Sequence, residues 1–233
     1  MKNNLILSGH QPDFIPWLGV FYKLANCDIF RICDYVNFTK SYTHRSKILH
    51  NGSPFWLTIP IDKQTTKGSI KDVTINNQVN WKDRILTLLA YSYKKAKHFD
   101  TIEPILEKIS NSSTNYLSEL NILLIIELCR ILDIKTKIVI GSKYNIKKGK
   151  TSHIIDSCRI FKCTTFLSGQ GSQYLDINMF LESNINLVTS PFVHPKNKNK
   201  NSIAQGLSVL HYLSYYGADW VKSQIKNEKS RDY

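Results

Sequence analysis

The residue types that can do chemistry gather near the start of the chain. Gly9-His10-Gln11-Pro12 follows an apolar run, Leu5-Ile6-Leu7. Asp34, Asn37 and Lys40 follow a second one, Ile29-Phe30-Arg31-Ile32-Cys33. Histidine titrates near neutrality, so His10 is a candidate base for an attacking amine, or a donor to a developing oxyanion. The alternative is a ring that only pins its turn by hydrogen bonds. Gln11 offers both a donor and an acceptor for a carbonyl or amide. Asp34 is a candidate to orient His10 or hold an amine, against the plainer role of a turn residue. Arg45 and Lys47 flank Ser46, and on a strand two such cations share one face. With Lys40 they suit phosphate or carboxylate, although a solvated edge strand has the same pattern. Ser168-Gly169-Gln170-Gly171-Ser172 is a turn whose backbone N–H groups can cradle an anion, or an ordinary tight turn. His194 is a further candidate. Trp17 reads as core packing before it reads as a stacking platform.

These residues need elements to hold them. Leu5-Ile6-Leu7 is short enough for a buried strand. Pro16 and Gly19 bracket Trp17 at a helix start, with Phe21, Leu24 and Ala25 at helical spacing. Residues 29–33 read as a second strand, which completes a βαβ unit. Such units bind ligands at the carboxyl ends of their strands, beside the helix N-terminus. Asn51-Gly52 marks a two-residue hairpin turn, followed by a strand over 55–60 that ends in proline. Residues 62–72 have loop composition and suggest a mobile connection, and 73–75 read as a short strand. Helices are expected from Asn80 through Leu89 or Tyr93, over 101–109, and over 115–132 with Ser112-Ser113-Thr114 as cap. Further strands are expected at 134–140, 164–167 and 185–188. Further helices are expected after Thr151, from Asp176, and over 208–216, where Gly217 stops the last one. The KNKNKNS run after His194-Pro195 reads as an exposed loop, and the tail after Ser223 as frayed. Strands alternating with helices predict an α/β fold, with a largely parallel sheet and helices on both faces. The whole of 1–233 forms one domain in this reading, with the helical block 80–132 as a subdomain.

Composition narrows the class. A chain of 233 residues, 42% hydrophobic and 11% aromatic, is long enough for a sizeable core. No apolar run approaches a membrane span, and the start of the chain shows no signal peptide, so the expected location is the cytoplasm. The five cysteines form no CxxC pair, which points to reduced, buried thiols rather than disulfides or a metal site. The net charge of +13 comes from lysines scattered along the chain, with no arginine-rich face or nucleic-acid motif. It therefore predicts no specific nucleic-acid partner.

Several separated motifs, in order, resemble the WbqC-like family found in bacterial surface-polysaccharide (O-antigen) gene clusters. The most specific is HQPxxxPWxG at 10–19. Asp34-x-Val36-x-Phe38-x-Lys40 follows, then WLTIPI at 56–61, Trp81…Tyr93…Phe99, LSGxGSxYLD at 167–176, and His194-Pro195 with Leu207-Ser208. The chain departs from the family pattern at 43–47, at Ile85 in place of a histidine, at His211 in place of an aspartate, and in the Lys/Asn run. The resemblance implies an enzyme that transfers glycine or another acyl group to a nucleotide-linked amino sugar. A second resemblance is to the start of nucleotidyltransferase-type folds. There a histidine–glycine signature binds ATP phosphates, and pantothenate synthetase makes an amide by adenylating a carboxylate.

Together these expectations describe an acyl or aminoacyl transferase that forms an amide, with ATP or acyl-CoA as the activated partner. His10 would act as base, with Gln11 and Asp34 assisting. Lys40, Arg45, Lys47 and the 168–172 turn would hold phosphate or carboxylate. A non-catalytic nucleotide-sugar-binding or scaffold protein of the same pathway is the alternative.

Overall fold

The computed structural model describes residues 4–147, 149–195 and 206–226. The KNKNKNS run lies outside them. The chain opens with β1 (Ile6–His10), α1 (Leu18–Ala25) and β2 (Ile29–Ile32), and then makes a hairpin of β3 (Arg45–His50) and β4 (Ser53–Thr58). Three helices follow: α2 (Trp81–Tyr93), α3 (Glu103–Asn111) and α4 (Leu117–Ile131). The remainder alternates β5 (Lys137–Ile140), α5 (Ser152–Ile160), β6 (Thr165–Ser168), α6 (Ile177–Glu182), β7 (Asn186–Thr189) and α7 (Val209–Ile225).

Five strands form one sheet in the order β5-β2-β1-β6-β7, and every neighbouring pair is parallel. The chain begins in the middle, builds outward through β2 and β5, then returns to β1's other side and builds outward through β6 and β7. The strand order reverses between β1 and β6. Loops leaving the carboxyl ends of those two strands diverge and open a crevice, the preferred ligand site of open α/β sheets. Both faces are covered because alternate residues point to opposite sides. Phe30 and Ile32 pack with α1, α4 and α7 in one core, which also takes in Ile85, Leu89, Ile105 and Ile109 of α2 and α3. Leu7, Ile29, Val139 and Phe166 pack with Ile154, Ile155 and Cys158 of α5 and Phe180 of α6 in the other. Each such side chain contributes about 1.5–3 kcal/mol by leaving water.

Local chemistry fixes many element ends. Asn51 and Gly52 sit at φ 49° and 76°, the left-handed pair that a two-residue hairpin turn requires. The side chains of Asn80 and Asp176 accept first-turn N–H groups of α2 and α6. Other ends differ from the expectations. The N-cap of α4 is Tyr116, and Thr114 Oγ1 instead accepts the Tyr116 N–H at 3.1 Å. Residues 73–75 form no strand: Ile75 and Thr74 make only single bridges, to Ile61 and Tyr116. The 62–72 connection is pinned, with two 3-10 turns (Lys63–Lys67 and Ile70–Asp72), a fully buried Ile70, and bonds from Ile70 N to Val36 O and Lys71 N to Asp34 O. Gly217 does not stop the last helix. It kinks α7 at φ 82°, and a Cβ there would lie 3.2 Å from the His98 ring. No helix among the described residues is long and apolar enough to cross a membrane.

Candidate functional site

The loop from β1 to α1 is tightly determined. Ile15 takes a left-handed φ of 44°, and its carbonyl accepts from Ser46 Oγ at 2.8 Å. The Asn121 side-chain amide, fully buried in α4, donates to Pro12 O and Thr43 O, both at 2.7 Å. Trp17 folds its ring back over Gly19, where a Cβ would sit 1.8 Å from that ring, so only glycine fits. The motif's tryptophan, prolines and glycine thus fix the course of the chain that carries His10 and Gln11.

A cavity of about 550 Å³ opens at the carboxyl ends of β1 and β6, lined on one side by His10, Gln11, Asp13, Trp17 and Lys23. Lys23 Nζ donates to Gly9 O at 2.8 Å and lies 3.2 Å from His10 Nδ1. A charged ammonium can only donate, so Nδ1 accepts and Nε2 carries the hydrogen that meets Asp13 Oδ2 at 3.1 Å. Asp13, His10 and Lys23 form one polar line. Burial pushes the Lys23 ammonium from 10.5 down to about 8, against raising contributions from Cys33, Cys27 and Asp13. The amine therefore gives up its proton more readily than an exposed lysine does.

The opposite wall is the 168–172 turn. Ser168 Oγ donates to Val188 O at 3.2 Å and Ser172 Oγ to Gly169 O at 2.7 Å, so both hydroxyls are occupied by the protein. The turn's free surface is at Gly169 and Gly171, where an added Cβ would meet nothing. Gln170 Nε2 ties the turn to Phe192 O at 2.7 Å. His194 stacks on Trp17, with ring centroids 5.1 Å apart. Its Nδ1 is buried without a partner among the described residues, and burial lowers its pKa. Trp17 is therefore both packing and cavity wall.

The other expected residues lie elsewhere. Asp34 does not orient His10, whose ring nitrogens meet Asp13 and Lys23. Its carboxylate accepts the Ser142 N–H at 2.8 Å and the Ser142 Oγ–H at 2.5 Å, fastening the end of β2 to the turn after β5. Lys40 is exposed and does not line the cavity. Arg45 and Lys47 share one face of β3, but that face meets Trp56 of β4, at 4.4 and 5.3 Å from its ring centroid. They adjoin the cavity through Tyr42, which packs edge-on against Trp56 at 5.2 Å and lines the cavity itself. Asp13, Lys23, Arg31 and Tyr42 are the site residues missed from sequence. Asp13 stands within the HQPxxxPW motif, and Lys23 and Arg31 are charges inside runs that must be buried. Among the described residues no group of three or more His, Cys, Asp or Glu side chains is placed to hold a metal ion.

Comparison with known proteins places this architecture. The WbqC-like protein family matches residues 11–223. The uncharacterized protein Rv1507c of Mycobacterium tuberculosis is 30% identical over 180 residues, covering 75% of this chain and 77% of that protein. No solved structure matches the chain. The match spans the β1–α1 loop from Gln11, the hairpin, the helical block and nearly all of α7, so the chain belongs to the WbqC-like protein family.

Proposed function

We propose that this protein is an acyl or aminoacyl transferase. It forms an amide on a nucleotide-linked amino sugar in cytoplasmic steps of surface-polysaccharide (O-antigen) synthesis, with glycine as one such acyl group. The observation that carries the reading is the Asp13–His10–Lys23 line opening on a cavity at the point where the strand order reverses. Amide formation needs a deprotonated amine. Lys23 in its neutral form takes a proton from the attacking ammonium, and His10 and Asp13 stabilise the charge that results. The freed amine then bonds to the acyl carbon, the leaving group departs with the bonding electrons, and the second amine proton passes to the leaving group or to solvent. An acyl adenylate made from ATP, or an acyl-CoA, supplies that leaving group. Gln11, whose Oε1 is held by Thr43 Oγ1 at 3.4 Å, presents its amide to the acyl carbonyl. The backbone at 168–172 faces the acyl donor's anionic part, and Arg45 and Lys47 beside Tyr42 take nucleotide phosphates.

The test is His10→Asn, which keeps the size of the side chain and removes the relay. Amide formation from acyl-CoA, or from ATP plus glycine, is followed by mass spectrometry with nucleotide amino sugars as acceptors. Turnover should fall by about 10²–10⁴ while the variant stays folded; unchanged turnover overturns the reading. One observation favours a binding protein without turnover: both ring nitrogens of His10 are already engaged by the protein's own groups. In that case a nucleotide amino sugar raises the melting temperature and no amide appears.

A further inference from the structure

Arg31 has no part in the relay. It is the largest fully buried side chain among the described residues, 1% exposed, on the interior strand β2, and it lines the same cavity. Its partners are neutral. Nη1 donates to the His153 carbonyl at 2.9 Å and to the Ser157 hydroxyl, both on α5. Nε is buried with no hydrogen-bond partner, and no carboxylate among the described residues lies within 4.0 Å of the guanidinium. Gly9 leaves this group uncovered from the side of β1: a Cβ there would lie 3.5 Å from Nε. The second cation at the cavity floor is Lys23, 5% exposed, and it too makes no direct ion pair among the described residues.

A buried guanidinium without a counter-charge is costly to keep, and its planar fork matches the two oxygens of a carboxylate or phosphate. Arg31 and Lys23 bring two buried cations to one cavity, and neither makes an ion pair among the described residues. We propose that Arg31 and the protonated form of Lys23 together bind an oxyanion of the substrate, a carboxylate or a phosphoryl group, at the floor of this cavity, and that Arg31 alone holds it once Lys23 has released its proton. Lys40, Arg45 and Lys47, which do not line this cavity, then take no part in holding that group. The inference rests on reading this cavity as the substrate site, and is independent of whether an amide is made there.

Isothermal titration of the full chain with inorganic phosphate, and separately with acetate, at constant ionic strength tests it. One saturable site is expected. Phosphate binding alone assigns a phosphoryl group, and acetate binding alone a carboxylate. Arg31→Gln and Lys23→Gln should each weaken binding by about 10- to 100-fold, the loss expected for a charged hydrogen bond. Lys95→Gln, at an exposed lysine after α2, should leave it unchanged. If Arg31→Gln does not fold, Lys23→Gln decides alone. No saturable binding of either anion to the natural chain, or equal binding to the variants, overturns the proposal. Anion binding lost in the variants while the natural chain forms no amide upholds the oxyanion floor and removes the transferase reading. Amide formation without anion binding does the reverse.

Discussion

Replacing Lys23 by Met tests whether the relay holds an amine that can give up its proton. Lys23 is 5% exposed, so solvent screens it little. Burial lowers its pKa from 10.5 to about 8, which corresponds to about 3 kcal/mol between folded and unfolded chains. The sign follows from the proton count. Between pH 8 and 10.5 the unfolded chain keeps this proton and the folded chain has released it, so stability rises with pH across that window. Below pH 8 both states are protonated, so the pH dependence is absent and the full cost of the buried ammonium remains. The variant has no proton to lose. Urea unfolding of both proteins from pH 7 to 10.5 should therefore give a stability difference, natural chain minus Lys23→Met, that grows by about 3 kcal/mol as pH rises. At pH 7 the two should lie close together. The variant escapes the cost of a buried ammonium, but it leaves Gly9 O and His10 Nδ1 without their donor, at about 1–3 kcal/mol each. A difference that stays flat with pH would mean that the amine keeps its proton, and the neutral-amine role would fall with it.

Two further outcomes follow from groups outside the cavity. His211 is 7% exposed and packs against the rings of Tyr93, Tyr212 and Tyr215, and burial lowers its pKa from 6.5 to about 4. The unfolded chain takes a proton there that the folded chain refuses, so stability falls as pH drops from 6.5 toward 4; His211→Phe should remove about 3 kcal/mol of that fall in acid unfolding curves. Identical acid limbs would refute this assignment. Asp34→Ala leaves the Ser142 N–H and hydroxyl without their acceptor at a site 3% exposed, and should cost about 2–3 kcal/mol in chemical denaturation without changing phosphate or acetate affinity. A loss of anion binding in that variant would return Asp34 to the site.

What could be read directly from the chain is what neighbouring residues decide between themselves. The Asn51-Gly52 turn, the cap at Asn80, the helix start at Asp176 and the strand–helix–strand opening depend on a few adjacent side chains, and all are present. Alternation correctly put Arg45 and Lys47 on one face, but a period of two cannot say which way that face looks. It looks at Trp56. Nearness to His10 in the βαβ unit makes Asp34 a candidate for its partner. Its real partner, Ser142, is 108 residues further along, brought there by the pairing of β2 with β5. Asp13 escaped because a motif's variable positions say nothing about what their side chains touch.

The sharper lesson concerns where a charge stands. A chain with 31 lysines and arginines offers cations everywhere, and the exposed ones cost little and recognise little. An interior parallel strand is covered on both faces and should read as continuously apolar. In Ile29-Phe30-Arg31-Ile32 the arginine is the one residue that breaks this rule, and in α1 Lys23 is the one charge among Leu18, Val20, Phe21, Tyr22 and Leu24. Both buried cations border the crevice between β1 and β6. Weighed by the burial that their elements impose, Arg31 and Lys23 stand ahead of Lys40, Arg45 and Lys47. In a basic protein, the cations that the fold should have refused are the ones to suspect of binding.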